Sequence, residues 1–366
     1  MILSTGLAVL LSCLVSSCSP GFLSLDTATS APTPPPAPAP APVSFTFNGR
    51  IISTQTGTVV SGATVTVGNR TVTSDSEGAF SAPLGTAAST VTVSATGFLT
   101  RTTLVAGAAH RNNLIDLISS AVPFDLEFFD RLSRGRGQEC VFPNFILRWP
   151  ANPNFYVITK YTTQDSSGNY VSTAQDVPAA TINRIVALLP GLVASATGNR
   201  IQAGSIQTRP DARATVEAGF IQVDIAQRGG GGANDQCGFG GVSITLLNDV
   251  ESSRTGFARL YNASNCFCSA DIANIIIAHE IGHALGFGHT TPFTDTVMAA
   301  SITLNATACA TANYSARDQF HGGLAYTRIL GNSSPDNDPS TFQLQRSSGR
   351  RTVQTAYSCA FPSRGF

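Results

Sequence analysis

Short runs in which apolar and polar residues alternate, FTFNGRII, ATVTVG, RTVTS, STVTVSA and RTTLVAG, occupy residues 44–118. A period of two sends every second side chain to one face of a strand. Turn signals at Thr56-Gly57, Ser61-Gly62, Asp75 to Gly78 and Thr96-Gly97 separate the runs evenly, and the pattern predicts a small all-β, Ig-like sandwich. Residues 119–366 are patterned differently and predict an α+β domain. NFYVITKY alternates as a strand, and VPAATINRIVALL sets Val177, Ile182, Ile185, Val186 and Leu189 at helical spacing until Pro190, where the helix is expected to break. IQAGSIQT, GFIQVDIA, GVSITLLN and TGFARLYN read as further strands, making roughly five. IANIIIAHEIGHALGF then reads as one buried helix, apolar nearly all round, with Ser269 as N-cap, Asp271 at the positive end of the dipole and Gly286 as the stop.

Ahead of both domains, residues 1–18 form an apolar stretch of signal-peptide length, so the chain is expected to be exported. Val15-Ser16-Ser17-Cys18 resembles the bacterial lipobox. Lipidation at Cys18 would anchor the chain at a bacterial cell surface or outer membrane, its only tie to a membrane; ordinary cleavage would release it. Residues 19–43 are a linker whose Pro/Ala tract favours extended polyproline II. Charged residues are only 12% of the chain, acids and bases balance at 22 each, and Lys160 is the sole lysine. Such a surface has no footprint for a phosphate backbone, and nucleic acid is excluded as an expected partner.

Eight cysteines are present, and Cys140, Cys237, Cys266, Cys268, Cys309 and Cys359 remain once Cys13 and Cys18 are assigned to the leader. An even count in an exported chain reads as disulfides, with Cys266 and Cys268 taking separate partners. A metal site on Cys266-Phe-Cys268 is the sharper alternative. The Gly229 to Gly232 stretch lacks the Lys-Ser/Thr of a phosphate loop and reads as surface loop.

The chemistry concentrates on the long helix. His279 and His283 are four residues apart, so both imidazoles share a face one turn apart. Gly286 permits a sharp reversal that brings His289 round as a third ligand, leaving a fourth position open, as catalytic zinc requires. Glu280 can reach a metal-bound water, whose pKa zinc lowers to about 7, without coordinating the ion itself. It would take the water's proton and return it to the departing amine.

HEIGHALGFGH resembles the metzincin zinc signature, and Met298 follows where the Met-turn of that family would stand. The resemblance implies an α+β metzincin-like catalytic domain with a mixed five-stranded sheet, an active-site helix beneath it, and an edge strand against which an extended protein or peptide substrate pairs. GVSITLLN or TGFARLYN would be that edge. Thr290 after the third histidine, and Ser315-Ala-Arg-Asp318 with its possible capping box, look most like the matrixins. Departures are the missing proline in Met298-Ala-Ala300 and the absence of a cysteine-switch propeptide, so calcium sites and latency are not carried over. Ala300 stands where astacins have a tyrosine ligand. In the first domain, GRIISTQTGTVVSGATVTVGNRTVTSDSEGAFSAPL with TVTVSATGFLTRT resembles the carboxypeptidase regulatory-like domain, read as a spacer or accessory binding module. His110 and His321 are expected to be structural. Asp336 and Asp338, in a polar tail expected to wrap the surface, are expected simply to face water. The function expected is zinc-dependent endoproteolysis outside the cell. The alternatives are a non-catalytic adhesion or binding lipoprotein keeping a structural zinc, and a narrow hydrolase of peptidoglycan peptides or glycoproteins.

Overall fold

The computed structural model describes residues 45–84, 89–105, 113–137, 144–227, 236–247, 250–268, 271–310, 313–339 and 352–362, the last by backbone alone. The leader with Cys18, the linker, His110, Cys140, the Gly229 to Gly232 stretch and Ser269 lie outside these residues.

Seven strands build the first domain: β1 (Phe45–Ser53), β2 (Thr64–Val67), β3 (Arg70–Thr73), β4 (Ala79–Leu84), β5 (Ser89–Ser94), β6 (Arg101–Val105) and β7 (Asn113–Leu117). They form two sheets, β4-β1-β7 and β3-β2-β5-β6, as the alternation anticipates. Val65, Val67, Val91 and Val93 point inward against Phe47, Ile51, Phe80 and Leu117. Burying each valine contributes about 1.5–3 kcal/mol. The turn before β4 is closed by Asp75, whose carboxylate accepts the amides of Glu77 (2.9 Å) and Ala79 (2.8 Å).

The second domain opens with α1 (Leu126–Arg134), capped by the Asp125 carboxylate on the amide of Phe128. Its sheet contains β8 (Asn154–Ile158), β9 (Lys160–Gln164), β10 (Tyr170–Asp176), β11 (Ile206–Arg209), β12 (Phe220–Ala226), β13 (Gln236–Leu247) and β14 (Val250–Tyr261). Two short strands, β15 (Phe267–Cys268) and β16 (Asp271–Ile272), pair with each other, and β17 (Thr352–Pro362) completes the eight-stranded main sheet. Strands β11, β8, β12 and β14 run parallel as neighbours, β13 is antiparallel to β14, and β17 is antiparallel to β13. The sheet is thus mixed but larger than the roughly five strands anticipated. NFYVITKY is cut at Thr159 into β8 and β9, and the hairpin β9-β10 and the C-terminal strand are added. Neither segment expected at the edge is there: β14 lies between β12 and β13, and β13 is paired on both sides.

Helix α2 (Ala179–Ala196) does not break at Pro190. Pro190 is on an exposed face, whereas Leu192, Val193 and Ala196 beyond it are buried, and this packing outweighs a cost of about 3 kcal/mol for proline inside a helix. Helix α3 (Asn274–Ala284) packs beneath β13 and β14 and is buried over nearly its whole length. It starts later than the sequence suggests: Ala273 is its N-cap and supplies no side-chain bond. Asp271 belongs instead to β16, where Thr181 (3.0 Å) and Arg184 (2.9 Å) take its carboxylate. Two disulfides, Cys237–Cys266 and Cys268–Cys309, pin this entry to β13 and to α4 (Ala306–Ala310). Cys266 and Cys268 do have separate partners, and no metal site is built on them. Last comes α5 (Ala316–Ala325), whose Ser315 and Asp318 make the expected capping box.

The two domains are fastened by buried charge. Arg328, fully buried, binds Asp336 through both oxygens (2.7 and 2.8 Å) and reaches Asp116 on β7 (2.5 Å). Arg101 on β6 pairs with Asp116 and with Asp338 (3.0 Å), while Asn332 donates to Asp336 and Asp338 at 2.9 Å each. Burial by itself would raise the Asp116 carboxyl, but Arg328 and then Arg101 outweigh it and hold it at about 2. Asp336 and Asp338 therefore do not face water. The polar tail folds back on β6, with backbone bonds between Thr102 and residues 336 and 338.

A candidate metal centre

Three histidine side chains converge. His279 and His283 come from successive turns of α3, and their Nε2 atoms are 2.9 Å apart; each is 3.2 Å from Nε2 of His289. The chain reaches His289 through a Schellman turn: Gly286 donates to the carbonyl of His283 and Phe287 to that of Gly282, both at 3.0 Å. Gly286 has φ +97, and a Cβ there would overlap the carbonyl of Leu147, so only glycine fits. Trp149 Nε1 and Tyr326 Oη cap the last carbonyls of the helix, at Ala284 (2.8 Å) and Leu285 (2.9 Å).

The tautomers follow from the partners. His279 Nδ1 faces the carbonyl of Val297 and His283 Nδ1 that of Phe287, both at 2.7 Å. A carbonyl only accepts, so each Nδ1 carries the proton and each Nε2 presents a lone pair to the cluster. Burial, followed by the like charges of the neighbouring rings, pushes His279 well below the ordinary histidine value; burial and then His289 do the same to His283. Burial lowers His289 to about 4. Neutral rings are what a metal needs.

A cation fits this arrangement. Tetrahedral coordination at about 2.0–2.1 Å places ligand nitrogens about 3.3–3.4 Å apart, close to the spacing found. Without a positive charge, the Nε2 lone pairs of His279 and His283 would face each other at 2.9 Å in a buried site. Glu280 adds to the case, because both its carboxylate oxygens are buried without a hydrogen-bond partner among the described residues. Its burial raises its pKa well above the ordinary carboxyl value. The side chain lies against the backbone of β13 at Gly238 and Gly240, where any Cβ would collide with it. The three histidines form a buried group able to hold a metal ion, and Glu280, the residue after His279 in the chain, is buried as well.

Met298 lies fully buried under the helix, its Sδ against Gly282 between the two helical histidines, and its carbonyl accepts the amide of Thr290 at 2.9 Å. One residue that the spacing of the motif does not reveal is Asp318. Its carboxylate accepts from Thr296 Oγ1 (2.6 Å) and the amide of Val297 (3.0 Å), fixing the turn whose carbonyl orients His279. The capping box is legible between Ser315 and Asp318, but the second use of the same carboxylate, 21 residues back along the chain, is not. A cavity of about 690 Å³ opens beside this turn, walled by Ile275, Thr296, Val297, Ile302, Asn305 and Ala308 among others.

His321 lies outside the cluster and is structural, as expected. Its Nδ1–H donates to the carbonyl of Arg317 (2.8 Å), and its Nε2 accepts the amide of Asp125 (3.0 Å) at the start of α1. Only the neutral ring satisfies both bonds, and burial lowers its pKa. A depressed folded-state pKa contributes stability that is present above the unfolded value of about 6.5 and lost as pH falls through the folded value. His321→Gln should therefore flatten the acid side of the curve of thermal midpoint against pH relative to the native chain. Equal slopes in the two proteins would remove this residue from the acid response.

Residues 46–117 match the model of the carboxypeptidase regulatory-like domain. No curated protein matches the chain. Among solved structures, one similar to it is a protein of unknown function from Bacteroides fragilis, 22% identical over 24% of this chain and 31% of that one, with a TM-score of 0.19. The seven strands, their two-sheet arrangement and the family match agree, and the segment from residue 46 to residue 117 is a carboxypeptidase regulatory-like domain.

Proposed function

We propose that the chain is a zinc-dependent endopeptidase of the metzincin type, held on His279, His283 and His289 and acting on extracellular protein or peptide. The observation that carries this reading is three converging Nε2 atoms, two of them presenting lone pairs, together with the buried Glu280 carboxylate, which has no hydrogen-bond partner among the described residues. A purely structural zinc would be closed by a fourth ligand and has no use for that acid. The mixed sheet over α3 and the position of Met298 against Gly282 support the same assignment.

Zinc, when bound, lowers the pKa of a water to about 7 and polarises a carbonyl. The chain supplies the proton traffic. Glu280 accepts the proton of the attacking water and passes it to the amine nitrogen of the departing product, and its raised pKa suits both halves of that exchange. The cavity beside Val297, lined by aliphatic, hydroxyl and amide side chains together with Asp295, has room for a substrate side chain. Export with a lipid at Cys18 completes the proposal, and the two disulfides are in keeping with an oxidising compartment.

Purified mature protein should bind one zinc per chain, cleave unfolded casein, lose that activity to a chelator and regain it with added zinc. One zinc per chain without cleavage of any peptide in a broad library would favour the adhesion reading. Mass-spectrometric profiling of the products separates a general protease from a narrow hydrolase.

A further inference from the structure

The strand that passes over Glu280 is β13, and its outer edge is occupied by the chain itself. β17 pairs antiparallel along the length of β13, from Gln236 opposite Pro362 to Leu247 opposite Thr352. At the point that matters, Cys359 is opposite Gly240 and Phe361 opposite Gly238, the two glycines against which the Glu280 carboxylate lies. Neighbouring strands are about 4.8 Å apart, so β17 runs one strand out from the acid, and its backbone also approaches α3.

An extended polypeptide bound by strand addition needs an edge with unpaired amides and carbonyls. On the side of the sheet next to the acid, that edge is the outer side of β13. Among the described residues, β14 fills its inner side and β17 its outer side. We infer that β17 is an internal competitor, a segment of this chain seated where an extended substrate would pair, so that the sheet edge opens only when β17 leaves it. The inference rests on the proposed peptidase reading and adds to it how the site is controlled. A tethered strand acts at an effective concentration on the order of mM, against substrates that would arrive at far lower concentration. Its main effect falls on the apparent affinity for substrate.

In a strand, successive amides point to opposite sides, so substituting two neighbours by proline removes one donor toward β13 whichever parity applies. The full-length, zinc-loaded variant with Ala356→Pro and Tyr357→Pro should cleave labelled unfolded casein with kcat/KM at least tenfold higher than the native chain, mostly through KM. A synthetic peptide of residues 352–362 added to the variant should restore inhibition. Equal kcat/KM in two folded, zinc-loaded proteins overturns the inference and leaves the peptidase reading intact. No turnover by either protein removes both together. Should the proline variant fail to fold, amide hydrogen exchange on full-length, zinc-loaded Glu280→Gln decides the matter. Saturating casein should speed exchange across residues 352–362, and unchanged protection with casein bound overturns the inference.

Discussion

Glu280→Gln should reduce casein hydrolysis by about 10²–10⁴-fold while one zinc per chain is retained, because general acid–base catalysis contributes on that scale. Glutamine keeps the shape and the packing against Gly238 and Gly240 but cannot accept the water's proton. The three ring nitrogens, and the carbonyls of Val297 and Phe287 that orient two of them, are untouched by the change. A second consequence distinguishes this residue from a structural one. Burial raises the Glu280 pKa in the folded state, and a raised carboxyl destabilises the fold at any pH above its unfolded value. Metal-free Glu280→Gln should therefore melt at a higher temperature than the metal-free native chain at pH 7. Loss of zinc binding together with activity, or undiminished turnover, would sink the assignment of Glu280 as acid and base.

Arg328→Met should cost about 3–5 kcal/mol of unfolding free energy, the amount expected when one partner of a buried ion pair is removed and the other stays behind. Here two carboxylates lose the guanidinium: Asp336 is left with Asn332 and Asp116 with Arg101, while Thr54 also loses its contact at 3.2 Å. The comparison is Arg50→Met. Arg50 and Glu77 lie 3.7 Å apart with half or more of each side chain in water, and a pair of that kind is worth about 0–1 kcal/mol. Urea unfolding of both variants gives the two numbers under one condition. A shift for Arg328→Met no larger than that for Arg50→Met would mean that the network does not hold the sandwich to the second domain.

Much of the local structure could be read from residue order alone. Alternation of apolar and polar residues marked the strands of the sandwich, since Val65, Val67, Val91 and Val93 need no knowledge of their partners to point one way. The histidine spacing was equally local: one helical turn relates His279 to His283, and Gly286 supplies the reversal to His289. The capping box at Ser315 is a matter of four consecutive residues.

What the sequence could not determine depends on groups far apart along the chain. Whether Pro190 stops a helix depends on how well Leu192, Val193 and Ala196 pack, which propensity does not contain. Asp336 and Asp338 look like solvated loop acids until Arg328 and Arg101 are brought beside them, Arg101 from a domain more than two hundred residues away. Which strand forms the edge was decided by a C-terminal segment that pairs with β13 through its backbone, and backbone pairing leaves little mark on residue identity. Residue order determined the motif and the elements that carry it. Only the tertiary structure decided what surrounds the motif, because burial and strand pairing are set by neighbours in space.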